Sequence, residues 1–119
     1  MKKLIVKIES MEAVLEGAKA AMKALEAGKA VQAQESLSFP TWEALHRILT
    51  PKRLAIIEAL AGMGTMSARE VSRIVDRDFK NVHTDIEALV NAGVIEKTAK
   101  GVEFPYDGLH LEMDIGKAA

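Results

Sequence analysis

The strongest constraint on this chain is a change of hydrophobic period at Gly93. From Thr41 to Asn91 apolar residues recur at helical spacing, whereas "VIEKTAKGVEFP" alternates with a period of two. The helical part is itself punctuated. Thr41, Thr50, Ser67 and Asp78 each precede a periodic run and can cap a helix N-terminus. Pro51 suits a first helical position, where its missing N–H is of no consequence. Ser67 and Glu70 have the S-x-x-E spacing of a capping box. Only Asp76 to Asp78 separates the third run from the fourth, so those helices must meet at a tight turn. The expected inward faces are Trp42, Leu45, Ile48 and Leu49; Leu54, Ile57 and Leu60; Val71, Ile74 and Val75; and Phe79, Val82, Ile86, Leu89 and Val90. The hairpin is expected to turn at "TAKG", with Val102 and Phe104 in its returning strand.

The flanks read differently. Residues 3–9 alternate as a strand, with Leu4, Val6 and Ile8 on one face. Ser10 caps a helix that runs to about Ala27 and stops at Gly28. Residues 31–39 alternate again, with Val31, Ala33, Leu37 and Phe39 together. The tail repeats the pattern over 109–115, a natural partner for strand 3–9 or 31–39, within or across chains. The predicted fold class is α+β, divided into a strand–helix–strand unit (1–40), a helical and hairpin unit (41–106) and a C-terminal strand and tail (107–119). Met11, Leu15, Ala18, Met22 and Leu25 trace a stripe at near-heptad spacing, with Val14 and Ala21 beside them. That stripe either covers its own small sheet or forms a dimer seam. One helix on two strands is a poor core, so the unit should pack on something, and its twin is the expected partner.

Composition narrows the chemistry. The chain has 119 residues, the size of one compact domain, and no cysteine, so it has neither a disulfide framework nor a thiolate nucleophile. No apolar run reaches the roughly 18 residues of a membrane span. The N-terminal apolar stretch is too short for a signal peptide and is broken by Lys7 and Glu9. A cytoplasmic protein without a membrane is expected. His83 has no Ser/His/Asp or metal-ligand spacing around it, so no enzyme, metal or cofactor is expected. The alternating His110, Glu112 and Asp114 row could be a metal set but reads as a solvent face. Net charge is −1, from six basic and five acidic residues over 1–40, nine and eight over 41–100, and one and four over 101–119. The acidity sits in the tail, which leaves room for a local basic patch upstream.

Helix, short helix, tight turn, helix and hairpin follow one another in the order of a winged helix-turn-helix, whose third helix enters the major groove. In the Asp78–Asn91 helix, Lys80, Asn81 and Thr84 point away from the apolar arc and His83 sits at its edge. Amide, ammonium and hydroxyl groups suit base edges and phosphates. Asp85 and Glu87 oppose this reading, since carboxylates repel phosphates. Arg69, Arg73 and Arg77 form a possible basic ridge, which either lies on phosphates or pairs with Glu70, Asp76 and Asp78. Lys97, Thr98 and Lys100 either touch backbone or protect an edge strand by charge.

The strings "LTPKRL", "SAREVSRIV", "RDFKNVHTDIEAL" and "GVIEK" resemble a family of small prokaryotic winged-helix transcriptional regulators, antitoxin-like or similar to the MarR type. The resemblance implies sequence-specific DNA binding and a possible toxin partner. It gives Lys80, Asn81, His83 and Thr84 the recognition role, with Arg77 at the helix entrance. The full set of expected DNA contacts is Lys80, Asn81, His83, Thr84, Arg77, Arg73, Ser67, Lys97 and Lys100. The expected protein is a dimeric repressor on a pseudo-palindromic operator, with half-sites about 34 Å apart or a multiple of that. The competing expectation is a protein-interaction module that uses the same fold as a scaffold.

Overall fold

Alternation at the N-terminus becomes strand β1 (Lys3–Ile8). Ser10 then starts helix α1 (Met11–Glu26) by accepting a hydrogen bond from the Ala13 amide at 3.1 Å. The computed structural model describes residues 2–29 and 35–116. Strand β2 (Ser36–Phe39) is the second half of the expected strand over 31–39; Val31 and Ala33 lie outside the described residues. β1 and β2 are parallel, which requires a crossover, and α1 lies within it. Strand β5 (Gly108–Glu112) takes the other edge of β1, also parallel, with Leu4 opposite Leu109 and Val6 opposite Leu111. The tail thus chooses the first of its two expected partners, in the order β2-β1-β5.

Between β2 and β5 the chain forms α2 (Trp42–Ile48), α3 (Pro51–Leu60), α4 (Ala68–Val75) and α5 (Phe79–Asn91). An antiparallel hairpin follows, of β3 (Glu96–Thr98) and β4 (Gly101–Glu103). Every expected cap is made. Thr41, Thr50 and Asp78 accept from the amides of Ala44, Arg53 and Asn81, and Ser67 and Glu70 close their capping box. At the end of α5 the Gly93 amide donates to Val90 O and the Val94 amide to Leu89 O, both at 3.0 Å. This closure needs a left-handed residue, and Gly93 has φ +80°. Met66 pairs with Val102 through two backbone bonds of 2.9 and 2.8 Å, so the segment before α4 adds a one-residue third strand beside β4. The architecture is α+β, with five helices among the described residues.

One hydrophobic cluster joins the sheet to the helices. Leu4, Val6 and Phe39 contribute from the sheet, Ile56, Ile57 and Leu60 from α3, and Val82, Ile86 and Leu89 from α5. Val94, Ile95, Val102 and Phe104 close it from the hairpin side. Three expected core positions are corrected. Trp42 is 41% exposed, Leu54 42% and Ile74 56%, while Ile56 and Ser72 are buried. Trp42, the first residue of α2, packs edge-on against His46 with ring centroids 4.4 Å apart instead of entering the core. On α3 and α4 the buried face is i, i+1 and i+4, which puts Leu54 and Ile74 about a third of a turn outside it.

Of the two expected roles for the α1 stripe, the structure does not show the first, burial against its own sheet: none of the residues of α1 is buried. The Cα radius of gyration is 16.4 Å, against about 13.5 Å for a compact domain of this length. No helix of the described residues is long and apolar enough to cross a membrane.

Candidate functional site

The first turns of α5 present Lys80, Asn81, His83 and Thr84 to solvent, while Val82 and Ile86 on the opposite side are buried. The Asp78 cap fixes where the helix begins and so which residues face outward. Thr84 Oγ1 donates to the Lys80 carbonyl at 3.1 Å, which occupies its hydroxyl proton and turns its rotamer toward the preceding turn. His83 leans on Phe79 with ring centroids 5.8 Å apart, and its Nε2 is 3.8 Å from Glu87 Oε1. It stands at the margin of the exposed surface, with 53% of its side chain exposed.

Of the two carboxylates that oppose anion binding in the sequence, Asp85 is turned inward, while Glu87 stays 38% exposed beside His83 and Lys97. Asp85 accepts from Arg53 Nε at 3.0 Å and from Arg77 Nη2 at 2.8 Å, and only 15% of its side chain is exposed. Burial on its own would raise its pKa. The hydrogen bonds and charges of Arg77 and Arg53 outweigh that burial and hold the carboxyl below its ordinary value. Arg53 Nη1 also donates to the Arg47 and Ile48 carbonyls, at 3.1 and 3.2 Å, completing the C-terminus of α2. Two guanidiniums against one carboxylate leave the cluster with a net positive charge. The cluster lines a shallow, open cleft with Thr50, Lys52, Asp78, Asn81 and Thr84.

The arginine ridge is divided. Arg77, expected as a free contact, is instead tied to Asp85, and its Nη1 is buried without a hydrogen-bond partner in the structure. Arg69 lies over the Phe79 ring, 4.4 Å from its centroid. Arg73 is exposed. Their expected acidic partners are used elsewhere: Glu70 and Asp78 are caps, and Asp76 occupies the left-handed turn with φ +52°. Ser67, also an expected contact, spends its hydroxyl in the capping box. Lys97 reaches Glu87 at 3.4 Å, and Lys100 is exposed at the hairpin turn.

Lys52 and Arg53 went unread in the sequence. A signal existed: two cations in the first turn of a helix oppose its dipole, so they need a reason to be there. At the far sheet, His110 Nε2 and Glu112 Oε1 are 3.6 Å apart, and no group of three potential metal ligands occurs among the described residues.

Neither a curated protein nor a solved structure matches this chain. A family model described as HVO_A0114 matches residues 48–111, a span that begins at the end of α2 and runs through α3, α4, α5 and the hairpin into β5. That span is more than half of the chain, and the protein belongs to the HVO_A0114 family.

Proposed function

We propose that this protein is a DNA-binding transcriptional regulator of winged helix-turn-helix type. In this reading α4 and α5 form the helix-turn-helix, the β3–β4 hairpin is the wing, and α5 is presented to the major groove. One observation carries the proposal: the exposed first turns of α5 bear Lys80, Asn81 and Thr84 beside a cleft in which Lys52, Arg53 and Arg77 outnumber Asp78 and Asp85. A phosphate approaching that cleft meets Lys52, Arg53 and Arg77, three cations against the two carboxylates of Asp78 and Asp85. Asn81 has the paired donor and acceptor that read adenine, and Lys80 and the hairpin Lys100 supply backbone contacts.

Fluorescence anisotropy on the DNA upstream of the protein's own gene tests the reading. Asn81→Ala is expected to weaken the preferred site about tenfold while sparing random DNA, in line with roughly 1–3 kcal/mol for a bidentate base contact. Lys100→Ala should weaken every sequence alike. Equal losses on all sequences for Asn81→Ala would remove its base-reading role, and no binding at low salt would remove the function.

A further inference from the structure

Among the described residues β5 is an edge of its sheet, and the direction of its outer backbone groups follows from β1. The amides of Ile5 and Glu9 donate to Glu35 O and Phe39 O on the β2 side, at 3.1 and 3.0 Å. Successive residues of a strand turn their backbone groups to opposite edges, so Leu4 and Val6 serve β5. In the register Leu4–Leu109 and Val6–Leu111 their partners are the flanking residues Gly108, His110 and Glu112. The amides and carbonyls of Leu109 and Leu111 therefore point outward, away from β1. Leu111 is also 40% exposed, on the face it shares with Leu4 and Val6. No lysine or proline guards this edge, whereas the β2 edge is four residues long and runs into Pro40.

The edge is complementary to its own reverse. About a two-fold axis at Leu111, Leu111 meets Leu111 of the second copy and exchanges two backbone hydrogen bonds with it. Leu109 does the same with Met113, the next residue in the alternation. On the other face His110 meets Glu112 of the second copy in a non-hydrogen-bonded pair, where side chains stand closest. An imidazole N–H thus faces a carboxylate on both sides of the axis. Glu112 also has Lys7 of its own β1 beside it in register, and Asp114 falls diagonal to His110 of the second copy. The two Glu112 side chains meet only diagonally. Within one chain His110 Nε2 and Glu112 Oε1 are 3.6 Å apart and about half exposed, so both can turn to a partner. Moving the axis to His110 or to Glu112 sets histidine against histidine or glutamate against glutamate. An axis between residues sets outward backbone groups against inward ones. One register satisfies backbone, apolar and polar pairs together, and the strand that supplies it is this strand itself.

We infer that two copies of this protein pair antiparallel through their β5 edges, centred on Leu111, and so join their three-stranded sheets into one. The inference does not rest on DNA binding, and either can fail without the other.

Sedimentation of Leu111→Pro is the direct test. Proline there removes the outward amide and no bond to β1. The variant is expected to keep its circular dichroism and to be a monomer at a concentration where wild type is a dimer. His110→Glu should weaken the dimer at least tenfold, and exchanging the pair, His110→Glu with Glu112→His, should restore it. Both side chains are half exposed, so this arm does not depend on how the strand tolerates proline. The chain contains no cysteine, so an introduced thiol is unique. On mild oxidation Leu111→Cys is expected to crosslink with itself, its Cα atoms standing about 5.5 Å apart. Faster self-crosslinking of His110→Cys than of Leu111→Cys would overturn the register. A wild-type chain that sediments as a monomer at micromolar concentration, or a dimer that survives Leu111→Pro, would overturn the pairing altogether.

Discussion

Asp85 shows what a single residue can hide. Its position in "HTDIEAL" puts a negative charge two residues from where an anion would have to bind, and the sequence offers no sign of relief. The relief comes from Arg53, 32 positions upstream, and from Arg77 in the turn. Neither pairing follows a helical i, i+4 rule, so no local pattern predicts them. Because the folded pKa of Asp85 is depressed, its stabilising contribution is complete above the unfolded value of about 4 and fades as pH falls through the lower folded value. Asp85→Asn leaves two partly buried guanidiniums unpaired and should cost on the order of 3 kcal/mol at pH 7. Thermal melts of wild type and variant should converge as pH drops below about 4; a gap that stays constant down to pH 2 would show that the ion pairs are not its cause.

Among elements, the caps were legible and the faces less so. A cap is a bond between a side chain and an amide three residues away, so Thr41, Thr50, Ser67 and Asp78 declare their helices without help from the rest of the fold. Which face of a short helix is buried depends on its neighbours, and for that reason Trp42, Leu54 and Ile74 were misplaced. The hairpin adds a constraint invisible in "TAKG". A Cβ on Gly101 would stand 2.1 Å from the Met66 carbonyl oxygen, in backbone that has no room to move. Gly101→Ala should therefore separate the Met66 strand from the hairpin and destabilise the protein by about 2 kcal/mol. Chemical denaturation would measure it, and hydrogen exchange should show the Met66 and Val102 amides exposed first. A neutral result would mean that the three-stranded arrangement is not maintained in solution.

In the whole molecule, β1 is the organising strand. It takes β2 on one edge and β5 on the other, so the segment from α2 to β4 is bracketed by strands that share one partner. The face of this sheet that carries Leu4, Val6 and Phe39 enters the helical core, while α1 lies outside that core. If the protein binds DNA as proposed and β5 pairs two copies, its DNA affinity should depend on that edge. Leu111→Pro is expected to give a monomer that binds the preferred site about a hundredfold more weakly, through loss of effective concentration. Unchanged affinity in a demonstrated monomer would show that one copy is sufficient. Capping and periodicity act over three or four residues, so the sequence by itself determined where the helices and the hairpin begin and end, and which side of α5 is polar. Only the tertiary structure decided that β1 is central, that Asp85 is held by two arginines and that α1 is left uncovered, because each depends on groups that folding brings together or holds apart across the chain.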